Sequence, residues 1–308
     1  MKPGVSGALS DLPAGGGWDF GGFAYGLEPL LLPVVGAPDA EPVDVVQPDA
    51  YAEICRYLQV IGEDSPPVLD VEPEDLFWFR WITGHQVCFI VWRLIAQGLD
   101  DLAEGRRPAG EVISSVSRYV DGYSAMLLYT GSCPPDLYNV LIRPSMRQRH
   151  RAFSGSWAPD YWPIRDLFRR RRLPPMVRVD TGELTAAITM LHRVHDGVAA
   201  RLVANGRSLL REAQVRGPGH RMAGMIYDSY FTTLRAAVPR HEVVAQLLRR
   251  LVAVAQDVAA NGLYPVEGDG DRPPELETPE VLKFEGELGD TLLSVARCAC
   301  ELSPGPSA

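Results

Sequence analysis

The sequence predicts a mostly α-helical protein, and two apolar stripes at helical spacing carry that prediction. The first stripe, in steps of three or four residues, consists of Trp78, Trp81, His85, Cys88 and Trp92. The second consists of Leu184, Ile188, Leu191, His195, Val198 and Leu202. Residues at this spacing share one face of an α-helix, and that face is expected to be buried. Because neither strand patterns nor internal repeats are evident, we expect a bundle of long helices.

The chain order of these helices follows from start signals and apolar periodicity. Pro73, followed by Glu74 and Asp75, is typical of a first helical turn. We expect helices over about residues 51–61, 73–104, 109–129, 181–214, 241–260 and 279–301. Residues 1–47 are rich in Gly, Pro, Ala and Val, which predicts an extended arm that packs on a partner subunit. Residues 48–308 are then expected to form a single helical domain.

Two connections between the helices are unusual. Residues 131–175 are rich in proline and aromatic residues and are too long for a simple connector, which is typical of a functional loop. Residues 216–224 are rich in glycine, which fits either close approach to a ligand or an irregular link between helices. The arginine run 169–172 is expected to be a solvated surface turn.

Composition excludes several classes of protein. The formal net charge is -9, which argues against nucleic acid as the main partner because phosphate binding needs a basic face. The five cysteines are odd in number and form no CxxC pair, so neither a disulfide framework nor a zinc knuckle is expected. Secretory signals and membrane-spanning apolar runs are not evident. A reducing cytoplasm is the expected location.

Each apolar stripe has an imidazole at its centre, His85 in one and His195 in the other. A lone core histidine is more often a satisfied structural residue than a ligand. Two of the six histidines nevertheless fall on buried helix faces, which indicates a ligand bound between helices. An imidazole-ligated metal cofactor is the natural candidate. His192 lies on an adjacent face with no third zinc ligand in register, and it is expected to be peripheral.

Three segments together resemble the tryptophan 2,3-dioxygenase family. The run WITGHQ at residues 81–86, followed by Trp-Arg at 92–93, resembles the distal-histidine helix of that family. His195, followed six residues later by Arg201, resembles its proximal heme-ligand helix. Residues 136–143, DLYNVLIR, are similar to the helix whose arginine binds the substrate carboxylate. The three segments occur in the order of the family.

Departures from that family point to a related group. The Gly-Thr-Gly-Gly loop is absent, and Phe89 stands where an acidic residue is expected. The runs LIRPSM at 141–146 and HRAFSGSW at 150–157 are closer to the heme-dependent L-tyrosine 3-hydroxylases, histidine-ligated members of the same aromatic oxygenase superfamily. Some relatives attach heme through a cysteine four residues after a histidine. Ala199 occupies that position here, so the heme is expected to be non-covalent.

The resemblance implies a tryptophan 2,3-dioxygenase-like helical bundle that encloses heme b. It implies His195 as the iron ligand with Arg201 at the cofactor. His85 would move a proton during catalysis, a task that its ordinary pKa near 6.5 suits. Arg143 would bind the carboxylate of the substrate. An aromatic wall that includes Trp81 and Phe89 would hold the ring of the substrate.

The implied reaction is hydroxylation of L-tyrosine at ring position 3 to L-DOPA, with hydrogen peroxide, in antibiotic biosynthesis. A homo-oligomer that binds no nucleic acid and no membrane is expected. The residues alone do not select peroxide over dioxygen. Two alternatives stay open: a heme dioxygenase or monooxygenase that acts on an indole such as tryptophan, and a non-catalytic heme-binding or aromatic-ligand-binding protein.

Overall fold

A computed structural model describes residues 19–20, 23–40, 48–60, 71–170, 173, 180–203, 206, 208–213, 217–266 and 272–301. Helices dominate these residues, which confirms the mostly α-helical fold class. The helices are α1 (Pro48–Val60), α2 (Pro73–Ala103), α3 (Ala109–Gly131), α4 (Pro135–Leu137), α5 (Arg143–Arg149), α6 (Arg165–Arg170), α7 (Gly182–Leu202), α8 (Leu209–Glu212), α9 (His220–Tyr230), α10 (Arg240–Asn261), α11 (Pro279–Gly286) and α12 (Leu288–Glu301). A π-helical turn, Tyr138–Ile142, joins α4 to α5. Short 3₁₀ turns form at Gly155–Trp157, Pro159–Tyr161 and Pro274–Leu276.

Most predicted helices are confirmed, and the differences have local causes. The helix predicted over residues 181–214 was too long, because the backbone leaves the helical region at Val203 and Gly206 adopts a positive φ of 63°. Only a residue such as glycine adopts that conformation without strain. The predicted last helix is divided into α11 and α12 at Glu287. Part of the glycine-rich segment is helical, because α9 begins at His220.

The arm before α1 packs on its own chain at residues 30–32, and its packing on a partner subunit stays a prediction. Strand β3 (Leu30–Leu32) pairs in parallel with β4 (Thr233–Arg235). Leu30 and Leu32 are fully buried. Two further strands, β1 (Asp19–Phe20) and β2 (Phe23–Ala24), pair antiparallel. The sequence showed none of these strands because each has only two or three residues. The rest of the predicted arm, residues 1–18, 21–22 and 41–47, lies outside the described residues.

Helix α3 is the centre of the bundle, with α2, α7 and α12 packed against it. Glycines permit the close approach on two sides. A Cβ atom at Gly84 of α2 would overlap the methyl group of Thr130, and one at Gly131 would overlap Val198 of α7. Helices α2 and α7 therefore flank α3, and the residues on their facing sides border a common space.

A buried charge network fixes α2 against α10. Arg80 donates to Asp257 across 2.8 Å, and both side chains are almost completely buried. Tyr129 of α3 donates its hydroxyl to the same carboxylate across 2.7 Å. Since a buried charge is tolerated only when it is paired and hydrogen-bonded, this network sets the position of α2 along the bundle. In the described part of the chain, none of the helices combines the length and apolar character required to cross a bilayer.

Candidate active site

The space between α2, α3 and α7 is a cavity of about 940 Å³. This volume lies at the upper end of the range for small-molecule and cofactor sites, roughly 300–1,000 Å³. Residues of the long connection after α3 and of α9 complete the walls. Much of the lining is aromatic. The aromatic part consists of Trp81, Trp92, Tyr123, Tyr138, Phe153, Tyr161, Phe168, Tyr227 and Phe231. The cavity therefore suits a flat, apolar or aromatic ligand.

His85 faces this cavity from the middle of α2. Its Nδ1 lies 2.6 Å from the carbonyl oxygen of Trp81, and because a carbonyl only accepts, Nδ1 carries the hydrogen. Nε2 therefore holds the lone pair. The imidazole stacks on Phe231 with ring centres 4.5 Å apart and planes 18° from parallel, while Trp81 covers it at 4.3 Å.

This environment corrects the expectation of an ordinary pKa for His85. Burial lowers the pKa of His85 to about 4, although the Trp81 carbonyl opposes the shift. Burial has this effect because it disfavours the charged form of the ring. Near neutral pH the imidazole is therefore uncharged, and in its resting form it can accept a proton at Nε2.

His195 lines the cavity from α7, but the prediction that it is buried in the helix seam was wrong. Its side chain is 62% exposed, and Nδ1 lies 3.4 Å from a carboxylate oxygen of Asp196. The buried face of α7 passes through Val194 and Gly197 instead. The stripe from Leu184 to Leu202 averages 3.6 residues per turn and stays on one face of α7, but at His195 this face borders the cavity instead of a neighbouring helix. The imidazole is thereby open to the cavity.

Two other predicted site residues lie behind the walls of the cavity. Phe89 is buried and packs edge-on against Phe231 at 5.3 Å, and it is not among the described lining residues. Arg201 is buried on the seam of α7, with its guanidinium 5.0 Å from the centre of the Tyr264 ring, and it donates to the Ser132 carbonyl at 3.4 Å. Arg201 also lies outside the described lining. The structure thus brings His85, Trp81, Arg143 and His195 together, without Phe89 and Arg201.

Arg143 reaches the cavity from the first residue of α5. Its Nη2 donates to Glu212 of α8 across 2.7 Å, and its side chain is 17% exposed. Burial raises the pKa of the Tyr138 phenol, and the charge of Arg143 partly opposes that shift. Tyr138 begins the π-helical turn, a rare conformation that is frequent at functional sites. That turn aims both side chains at the cavity.

The cavity is locally basic in an acidic protein. Arg143, Arg169 and Arg211 line it, whereas Asp196 contributes a carboxylate to the described lining. Arg169 is exposed, as predicted, yet it also borders the cavity. His192, which was predicted to be peripheral, lines it as well, with Nε2 3.1 Å from the Phe168 carbonyl. These groups favour a ligand that carries carboxylates.

Sequence reasoning missed the aromatic residues that α9 contributes. Tyr227 and Phe231 line the cavity, and burial raises the pKa of Tyr227 well above its ordinary value. The signal was the spacing of three aromatic residues over 227–231, just after the glycine-rich segment. The proline- and aromatic-rich connection, which was expected to be functional, supplies Phe153, Tyr161 and Phe168 to the walls.

Comparison with known proteins bears on the α2 side of this site. Residues 23–173, just under half of the chain, match the family described as SfmD 3-methyl-L-tyrosine peroxygenase. The chain is similar to this peroxygenase family. The matched segment includes Trp81, His85 and Arg143, and it ends before α7 and His195. No curated protein matches the chain.

A peroxygenase takes the oxygen atom that it transfers from a peroxide. The similarity therefore favours an oxidoreductase with a peroxide as co-substrate. The name of the family indicates a ring-substituted tyrosine as the substrate of its members, which agrees with an aromatic cavity that has arginine on its lining.

Proposed function

We propose that this protein is a heme-dependent peroxygenase that hydroxylates ring position 3 of L-tyrosine. The reaction consumes one L-tyrosine and one hydrogen peroxide and gives L-DOPA and water. One observation carries the proposal: two imidazoles from separate helices, His85 and His195, line the same aromatic cavity. The similarity to a tyrosine peroxygenase family supports the same reaction class.

The residues of the cavity fit a heme. His195 offers an imidazole that is open to the cavity, which suits a protein ligand to iron. Asp196 lies beside its Nδ1, and such a partner would set the orientation of the ring. The apolar walls suit a porphyrin, and lining arginines suit its carboxylates. When bound, the heme would supply peroxide activation and oxygen transfer.

His85 would manage the proton of the peroxide. Its neutral Nε2 can accept a proton, and the protonated ring then releases it more readily than an ordinary imidazolium, because burial lowers its pKa to about 4. The same side chain can therefore return the proton to the oxygen atom that leaves as water. The bond from Nδ1 to the Trp81 carbonyl holds the ring in one orientation for both transfers.

Arg143 and the aromatic walls would position the amino acid. A guanidinium binds a carboxylate through two charge-assisted hydrogen bonds, and Arg143 is presented to the cavity by its pairing with Glu212. Trp81 and Tyr138 border the same region, with ring centres 5.8 Å apart. They form an aromatic surface for the phenol ring of the substrate.

Product analysis tests this proposal. The purified protein would be incubated with hydrogen peroxide and, separately, with L-tyrosine, 3-methyl-L-tyrosine or L-tryptophan, with peroxide-free and heme-free controls. We expect ring-hydroxylated tyrosine products only when both peroxide and heme are present. Oxidation of tryptophan but not tyrosine would instead establish the indole alternative. Absence of any product from a heme-loaded protein would support the non-catalytic alternative.

Loss of the guanidinium tests the carboxylate site. We expect Arg143→Leu to lower kcat/KM for L-tyrosine. The fall should correspond to about 2 to 4 kcal/mol of lost transition-state stabilisation, because a desolvated, charge-assisted contact is lost. The substrate 4-methylphenol has no carboxylate, and its kcat/KM should change much less. Steady-state kinetics with both substrates measure the difference.

Arg147→Leu is the matched control for this prediction. Arg147 lies on the same helix α5, is exposed, and is outside the described lining of the cavity. Its substitution should leave kinetics with both substrates unchanged. An equal loss for L-tyrosine and 4-methylphenol in Arg143→Leu would show that Arg143 does not recognise the carboxylate.

A further inference from the structure

Gln86 follows His85 in the sequence and is buried, but it does not line the cavity in the described part of the chain. Its Nε2 donates to the carbonyl oxygen of Phe231 at 3.0 Å and to the hydroxyl of Thr232 at 3.1 Å. The same nitrogen lies 3.1 Å from the carbonyl oxygen of Glu28. Gln86 therefore holds the backbone at the end of α9 from the residue next to His85.

The backbone that Gln86 holds carries the ring that covers His85. Phe231 stacks on the imidazole at 4.5 Å. Thr232 turns the chain from α9 into β4 with a positive φ of 49°. Such a conformation is strained for a residue with a side chain, and it persists only where surrounding contacts hold it. The bonds from Gln86 to both residues are such contacts.

Arg250 fixes the other end of the Gln86 amide. Its guanidinium is fully buried, and Nε donates to Oε1 of Gln86 at 2.9 Å. Its remaining nitrogens donate to carbonyl oxygens of Gln246, Glu28 and Pro29. Because Oε1 accepts from Arg250, the amide cannot rotate by 180° without loss of this bond. The NH₂ group of Gln86 is thus kept directed at Phe231 and Thr232.

We propose that Gln86 is a positioning residue for the proposed peroxygenase reaction. Through its bonds to residues 231–232, Gln86 holds the Phe231 ring flat against His85. This inference rests on the role of His85 in the proposed function. Without the bond from Gln86, the turn at Thr232 relaxes and the phenyl ring leaves the imidazole. His85 then gains freedom to rotate away from the productive orientation.

The substitution Gln86→Glu separates positioning from simple structural support. A carboxylate retains the acceptor for Arg250 and forms a buried ion pair with it, but it cannot donate to Phe231 or Thr232. We expect the variant to fold and to lower kcat for L-tyrosine more than it changes KM. Modification of His85 by diethyl pyrocarbonate should become about threefold to tenfold faster, the range that loss of one net hydrogen bond gives.

Peptide mass spectrometry of the protein as purified resolves the modification of His85 and needs no activity. Failure of the proposed reaction would therefore not obscure the result. Gln256→Glu is the matched control, since Gln256 is a buried glutamine on α10 outside the described cavity lining. It should leave modification of His85 unchanged, even if the melting temperature falls.

A second variant keeps the test decisive if Gln86→Glu does not fold. Phe231→Leu retains the backbone acceptor of Gln86 and removes only the aromatic ring. The proposal predicts the same faster modification of His85 and the same fall in kcat. Unchanged modification of His85 in either folded variant would overturn the proposal. Equal effects of Gln86→Glu and Gln256→Glu on modification and kcat would also overturn it.

Discussion

His85→Ala should retain its heme and lose most of its turnover with hydrogen peroxide and L-tyrosine. The expected loss in kcat is about 10²- to 10⁴-fold, the usual contribution of a general acid–base group. Heme is expected to stay because His195 would hold the iron from α7. The fall should lie in the chemical step, since His85 would accept the proton of the peroxide at Nε2.

A purely structural role for His85 predicts a different result. The imidazole fills space between Trp81 and Phe231, so its removal would leave a hole in the aromatic wall. In that case the melting temperature, heme content and turnover should fall together. His150→Ala is a suitable control, because His150 packs on Trp157 and is outside the described cavity lining. A folded, heme-replete His85→Ala protein with full turnover would rule out the catalytic role.

His195→Ala should abolish stoichiometric heme binding. If His195 is the single protein ligand to the iron, removal of its imidazole leaves only the contacts of the porphyrin with the cavity walls. Added imidazole is small enough to enter the cavity and should restore part of the Soret absorbance. Heme content by pyridine hemochromogen, with and without imidazole, measures both effects.

His192 provides the comparison for this prediction. It lies one helical turn before His195 and lines the same cavity, but its Nε2 is near the Phe168 carbonyl. We expect His192→Ala to retain heme. Loss of heme in His192→Ala, together with a normal Soret spectrum in His195→Ala, would move the ligand to His192.

The helical framework was largely predictable because its signals are local. Pro73 with two acids in the first turn marks the start of α2, and long apolar periodicity identified α3 and α10. The short strands were not predictable. The pairing of β3 with β4 joins residues about 200 positions apart, and two or three residues contain too little pattern to indicate a strand.

The candidate site was predictable only in part, because contacts between residues distant in sequence complete it. His85 lies on the face that its spacing indicated, but burial lowers its pKa, and the Phe231 ring that stacks on it is distant in sequence. His195 also lies on the helix face that its spacing indicated, but that face borders the cavity there, which spacing alone does not reveal. Arg201 and Phe89 lie on the expected helices, but Arg201 packs on Tyr264 and Phe89 packs behind Phe231 instead of lining the cavity. Helical spacing alone does not reveal which side of a buried helix meets a cavity.

Arg143 shows how a local irregularity defeats periodicity. A regular helix through residues 135–149 would rotate its later side chains relative to the observed structure, because a π-helical turn has wider hydrogen bonding. The resemblance of residues 136–143 to a known carboxylate-binding helix identified Arg143, whereas spacing did not. The basic lining formed with Arg169 and Arg211 became visible only in three dimensions.

The most direct test of the central claim is the absorption spectrum of the purified protein, recorded before and after addition of L-tyrosine. We expect a Soret band with one heme per chain and a spectral shift on addition of L-tyrosine, because the substrate would enter the same cavity as the iron. A protein that remains without a Soret band after reconstitution with hemin, yet is folded, would contradict the account.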